Sequence, residues 1–276
     1  MSSAAWIRGG GKRPNTYHGF RTVFHAESGA AAVLRISAVN RYRAWLNGTI
    51  LGEGPPPSTP SFAYADTYEV GELPRNQANV LAVLVHFTGR NIGDEPGLWA
   101  ELRTADGRIL AATSEDWEGF VSDAWTADTL FFRMNWLDPW QEHFDSRRFP
   151  DGWESDPCPP RTAASLCPAP PVKELRERPI PLLRKETVRP RRVCCTEECT
   201  WIDNRIRSED LSITLSRPGV PLRRSRVERR NALTGREDGP CLLQCSREPL
   251  DDPDAGSVME PFLTLDFGRQ VNGCLE

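Results

Sequence analysis

Between Val33 and Gly54 the chain reads VLRISAVNRYRAWLNGTILGEG, and its apolar positions alternate. Leu34, Ile36 and Ala38 fall on one side of an extended backbone and Val33, Arg35 and Ser37 on the other, the period of two expected of a half-buried strand. Tyr42, Ala44 and Leu46 alternate in the same way with Arg41, Arg43 and Trp45 as far as Asn47-Gly48. That dipeptide tolerates the positive φ angles of a two-residue turn, so a hairpin returning through Thr49-Ile50-Leu51 is predicted. GPPPSTPS then interrupts any ladder, because proline brings no backbone donor. A further strand is predicted near Tyr68. The run NVLAVLVHF, from Asn79 to Phe87, is almost continuously apolar and predicts a central strand covered on both faces. Ala105-Asp106-Gly107 separates two more short patterns, Trp99 to Thr104 and Arg108 to Thr113, and its Asp-Gly pair predicts a second hairpin.

Many short strands separated by turns predict an all-β chain opening with a jelly-roll β-sandwich over residues 16–150, preceded by a flexible tail over 1–15. From Phe149 to about Val193 the pattern dissolves into proline-rich sequence, read as an extended linker lying on a surface over 151–192. Residues 193–276 form a second β domain in this reading. Its strands are expected at Val193 to Trp201, Leu211 to Leu215, Cys241 to Cys245 and Phe262 to Phe267. The sequence stops just after the last of them, so this second sandwich is expected to be incomplete and the chain to be a fragment.

Composition narrows the function. The 276 residues carry a formal net charge of -4, with acids and arginines interspersed, so no basic face for nucleic acid is expected. No apolar run approaches the roughly 20 residues that cross a bilayer, and MSSAAWIRGGGKRPN has no signal-peptide core, so a cytosolic chain without a membrane partner is expected. The eight cysteines are then read as mostly free thiols. Cys195 and Cys199, with Cys241 and Cys245, have the looser spacing of a zinc site, which leaves a structural zinc module as a remote alternative. No phosphate-binding glycine loop or Gly-x-Ser-x-Gly elbow is present, the four histidines stand apart, and neither cofactor nor metal is expected.

LRISAVNRYRAWLNGTILGEGPP resembles the first sandwich of the family 78 glycoside hydrolases, the α-L-rhamnosidases, a galactose-binding-like jelly roll. The resemblance continues in order through DTYEVGELPRNQANVLAVLVHFTG, WQEHFDSRRFPDGW, RERPIPLL and LTLDFGRQVNGCLE. Two stretches depart from the family's pattern, Glu154 to Val172 and Cys194 to Trp201. The resemblance implies a modular enzyme whose sandwiches precede a helical barrel carrying the catalytic acids. No helical region of that kind is predicted here, so the chain is expected to lack catalytic residues. It is expected to be the accessory N-terminal part of such an enzyme, partnered by rhamnose-containing glycan and by a downstream catalytic domain. A stand-alone carbohydrate-binding protein is the alternative.

Glycoside hydrolysis needs two carboxyl groups, about 6.5–9.5 Å apart for inversion, one of them with a raised pKa. Glu142 and Asp145 are the nearest pair in sequence beside tryptophans, and anchoring of a loop against Arg147 and Arg148 is the plainer reading. A sugar surface combines an aromatic ring, which stacks on the C–H face of a pyranose, with polar groups for its hydroxyls. Trp125, Trp136, Asp138 and Trp140 lie in one loop-like stretch and supply both, either for sugar contact or for packing between domains. Trp45 is read as structural, packed beneath its neighbouring arginines, and Asp66 and Tyr68 as capping a strand.

Overall fold

The computed structural model describes residues 4–26, 31–59, 61–74, 76–89, 94–129, 140, 142–157, 166–169, 174–184, 186–200, 220–223, 225–244, 259–269 and 271. They belong to two compact units, Met1–Pro181 and Leu182–Glu276. Among the described residues there are strands and two short 3-10 turns but no α-helix.

The first unit contains β1 (Ile7–Arg8), β2 (Thr16–His25), β3 (Ala31–Val39), β4 (Arg41–Leu46), β5 (Thr49–Gly54) and β6 (Ala63–Glu72). It continues with β7 (Ala78–Phe87), β8 (Gly97–Thr104), β9 (Ile109–Ala112), β10 (Glu118–Val121), β11 (Cys167–Pro168) and β12 (Leu175–Glu177). One sheet runs β11-β1-β8-β3-β6-β12 with β9 on β8, and the other runs β10-β2-β7-β4-β5. Apart from the β4-β5 and β8-β9 hairpins, successive strands from β1 to β10 pass back and forth between the two, which is the wiring of a jelly-roll sandwich.

The alternation seen in the sequence sets the core. Leu34 and Ile36 of β3 and Leu98 and Leu102 of β8 face Phe20 of β2, Ala44 of β4 and Val83 and Val85 of β7, all fully enclosed. Each large apolar side chain removed from water in this way contributes about 1.5–3 kcal/mol. The Asn47-Gly48 hairpin forms as predicted: Trp45 pairs with Ile50 and Leu46 with Thr49, and Asn47 and Gly48 have φ of 50° and 78°. The second hairpin closes at Gly107, whose amide donates to Thr104 O at 2.8 Å.

Two pieces of the proline-rich stretch pair with the first sheet. β11 lies antiparallel to β1, and β12 runs parallel to β6 through Leu175 opposite Ala63. Both occupy sheet edges, where a strand bordered by proline leaves no inner ladder broken. Arg178, just beyond β12, donates to the Asp66 carboxylate at 2.8 Å. Asp66 therefore does not cap a strand: it is fully buried and also accepts from the Tyr42 hydroxyl at 2.5 Å, while the Tyr42 and Tyr68 oxygens lie 3.0 Å apart. Burial, with the neighbouring carboxylate and tyrosine, drives the Tyr42 hydroxyl far above the ordinary phenol range.

The second unit is β as well. β13 (Arg192–Thr200) pairs antiparallel with β14 (Val220–Pro221) on one side and with β17 (Met259–Asp266) on the other. β15 (Arg226–Glu228) and β16 (Leu242–Gln244) form a separate ribbon. Glu198 is buried on β13, where its carboxylate accepts from the amides of Arg223 and Ser225 at 2.9 and 3.0 Å. The strand expected at Leu211 to Leu215 lies outside the described residues.

Candidate functional site

The outer face of the five-stranded sheet gathers a cluster of aromatic side chains, Trp45, Phe120, Phe149 and Trp153, with Trp125 beside it. Strand alternation points Tyr17, Gly19 and Arg21 of β2, Trp45 of β4 and Val80, Ala82 and His86 of β7 away from the sandwich core. Instead of meeting water, Val80 and Ala82 are sealed by a second apolar cluster with Trp153, packed against by Trp45, Phe120 and Phe149. Trp153 is 2% exposed. Its ring meets Trp45 edge-on at 5.7 Å, Phe120 at 5.6 Å and Phe149 at 5.8 Å. Such pairs add about 0.5–1.5 kcal/mol each beyond burial.

Polar contacts pin this cover. Arg21 is buried, donates to the carbonyls of Trp153 and Asp156 at 3.1 and 2.9 Å, and meets Glu118 at 3.3 Å. The amide of Gly48 in the first hairpin donates to Glu154 O at 3.0 Å. Gly19 is required because a Cβ there would come within 2.3 Å of the Phe120 ring.

Beyond the cover the aromatic rings continue as a ladder. His86 and Tyr17, opposite each other on β7 and β2, stack at 4.2 Å with planes 2° apart. Tyr17 stacks on Trp125 at 4.2 Å and 15°, and Trp125 meets Phe144 at 4.4 Å and 35°. Trp125 and Phe144 also share an isolated antiparallel bridge, closed by Thr126 N donating to His143 O at 3.0 Å and Asp145 N to Ala124 O at 2.8 Å. Phe144 is 47% exposed and forms the outer end of the ladder. At the inner end, the Asn15 amide nitrogen donates to Ala127 O at 3.0 Å, so its oxygen accepts from His86 Nε2, also at 3.0 Å. Burial first, then the charges of Arg41 and His18, bring His86 down to about 4.

The carboxylates nearest the ladder each accept from a neighbouring side chain. Glu142 accepts from the Trp125 indole nitrogen at 2.7 Å. Asp145 accepts from Arg147 Nε and Nη2 at 2.7 and 2.6 Å, and the guanidinium holds it down to about 2. It is an ion at neutral pH and has no proton to give, so the loop-anchoring reading describes it.

Of the predicted sugar-contact residues, the structure sets Trp125 in the ladder and leaves Trp140 half-buried. Trp136 and Asp138 lie outside the described residues. Tyr17, His86, Phe144 and Phe149 join the site without having been singled out in the sequence. Tyr17 and His86 meet only through strand pairing, which no local pattern displays. Trp45 is structural as expected, although its ring packs on Trp153. Cys194, Cys195 and Cys241 are free thiols. Among the described residues no three His, Cys, Asp or Glu side chains converge to hold a metal. The side chains of Cys199 and Cys245 lie outside the described residues.

No family model matches the chain, and no curated protein matches it. Solved structures do. The family 78 rhamnosidase of Bacillus sp. GL1 is similar at a TM-score of 0.62 and 30% identity over 72% of this chain and 22% of its own. The α-L-rhamnosidase of Dictyoglumus thermophilum has a TM-score of 0.55 at 18% identity, covering 71% of this chain and 26% of its own. That of Aspergillus terreus has 0.54 at 20%, covering 70% and 24%. The chain thus spans about a quarter of the length of each of these three enzymes.

Proposed function

We propose that this chain, built like the sandwich portion of a family 78 α-L-rhamnosidase, is the non-catalytic N-terminal part of such an enzyme and frames a sugar-processing site without cleaving the bond. The likeness to the Bacillus enzyme carries the reading, since 30% identity extends over 72% of this chain but only 22% of that protein. The bonding of Asp145 accords with it, because both guanidinium bonds from Arg147 commit that carboxylate to anchoring its own loop. The partners are then a downstream catalytic domain and a rhamnose-containing glycan. The free thiols at Cys194, Cys195 and Cys241 support a reducing compartment such as the cytosol.

The test is incubation of the chain with an aryl α-L-rhamnoside. No aryl release above the buffer blank is expected. Turnover that disappears in Glu142→Gln would overturn the reading.

A second reading, a stand-alone carbohydrate-binding protein, is favoured by one observation, the exposed Phe144 ring at the end of the Trp125 ladder beside Glu142. Trp125, Trp140, Trp136 and Asp138 remain its contact candidates. It expects rhamnose to quench tryptophan emission saturably and Phe144→Ala to weaken that response. A flat titration to tens of millimolar removes it, since single sugars bind weakly.

A further inference from the structure

The second unit holds two adjacent thiols that the pleat of a regular strand would send to opposite faces. Along β13, Arg192 pairs with Asp266, Val193 with Leu265, and Cys195 with Thr264, so Cys194 is the extra residue of a β-bulge. Residues directly opposite on paired strands share a face. Asp266 and Thr264 are two apart and therefore share one, which puts Arg192 and Cys195 on the same face despite their odd spacing. Cys194 joins them, because a bulge sets two residues of one strand, here Cys194 and Cys195, opposite a single partner residue, Thr264. The bulge has turned neighbouring cysteines into a same-face pair.

Cys194 is exposed and Cys195 is half-buried, and both are free. Cys195 Sγ lies 3.1 Å from Thr264 Oγ1 and 3.5 Å from Glu197 Oε2, held by side chains of the same face. Consecutive Cα atoms on a trans peptide are about 3.8 Å apart, shorter than the roughly 4.4–6.8 Å usual across a disulfide. Direct S–S closure is therefore disfavoured, whereas one larger soft atom can bridge two adjacent sulfurs. A tetrahedral metal asks for four ligands, and no such set converges among the described residues.

We propose that Cys194 and Cys195 form a two-sulfur capture site for a soft trivalent centre of the arsenical class. With an organoarsenic oxide, both thiol sulfurs form bonds to arsenic, and the arsenic–oxygen bond breaks. The oxygen leaves as water carrying the two thiol protons, with no change of oxidation state and no further reactant. Soft thiolate sulfur is the ligand such a centre selects.

The test treats the reduced full chain with one equivalent of phenylarsine oxide and reads intact mass in excess glutathione, then in a small dithiol. One adduct is expected to survive the monothiol and to leave with the dithiol. Because Cys199 shares the tryptic peptide that starts at Val193, the variants decide the assignment. Cys194→Ser is expected to lower the surviving adduct at least tenfold and Cys199→Ser to leave it unchanged. Cys194 is exposed, so its substitution tests capture without disturbing the fold. An untouched adduct in Cys194→Ser, its loss in Cys199→Ser, or no monothiol-resistant adduct in the parent chain would each overturn the proposal.

Discussion

His18 shows how a buried side chain contributes to the acid sensitivity of the first unit. The Thr16 hydroxyl donates to Arg13 O at 2.7 Å, so its oxygen accepts from His18 Nε2 at 2.9 Å. His18 Nδ1 then carries a lone pair in a site with no partner, and the ring is 1% exposed. A second N–H there would have no acceptor, and burial brings the group down to about 4 from its ordinary 6.5. The unfolded chain takes up this proton near pH 6.5 while the folded one refuses it until about pH 4. The stabilisation is therefore complete above the unfolded value and is lost as pH falls from about 6.5 to about 4, up to about 3 kcal/mol. The urea midpoint should drop across this window, and His18→Gln should remove about half of the drop, the rest belonging to His86. His86 is brought down to about 4 as well and adds to the drop, whereas Asp145, held down to about 2, titrates below the window. A flat midpoint in the parent chain would show that His18 is not held neutral. Arg178 is the second sensitive residue, since removing it leaves the fully buried Asp66 carboxylate without its cation. Arg178→Met should cost about 3–5 kcal/mol in the same denaturation assay. Neither consequence is legible in the sequence, because His18, Thr16, Asp66 and Arg178 look like ordinary polar residues until pairing encloses them.

At the scale of elements, the segment that covers the five-stranded sheet separates packing from display. Trp153 is enclosed against Val80 and Ala82, whereas Phe144 ends the aromatic ladder half in water. Trp153→Ala should cost about 3–5 kcal/mol, the usual penalty for deleting a buried aromatic ring. Phe144→Ala should cost less than about 1 kcal/mol, in keeping with an exposed position. Thermal melts of the two variants check this contrast, and equal losses would mean that Phe144 is part of the packing. The same region marks how far the sequence could be read. The continuous apolar run of β7 announced a strand covered on both faces, but its outer cover arrives from WQEHFDSRRFPDGW, and nothing local links the two. β2 was not read as a strand at all. Gly19 and Arg21 break its alternation, and their reasons lie elsewhere, in the Phe120 ring and in the carbonyls of Trp153 and Asp156. The Asn47-Gly48 hairpin was legible because a turn's backbone demand is met within two residues.

For the whole molecule, the five ordered stretches that resemble the rhamnosidases led to the fold because each is a local pattern that survives without its neighbours. The extent of the first unit was less visible. Composition alone ends the sandwich at residue 150, whereas Trp153 and Asp156 pin its outer face and β11 and β12 complete a sheet within Met1–Pro181. A chain that ended at residue 150 would lose the Trp153 cover and the Arg178 partner of Asp66, exposing apolar surface on one side of the sandwich and an unpaired buried carboxylate within it. A chain ending at Pro181 keeps both. The piece 1–181 should therefore melt as one cooperative transition, within a few degrees of a transition seen by calorimetry in the full chain, while 1–150 should show none or one lower by more than about 10 °C. The comparison is direct, because about 1 kcal/mol moves the midpoint of a domain of this size by roughly 2–4 °C and the two deletions together exceed several kcal/mol. If 1–150 melts like 1–181, the contacts made by Trp153, Asp156 and Arg178 do not stabilise the sandwich.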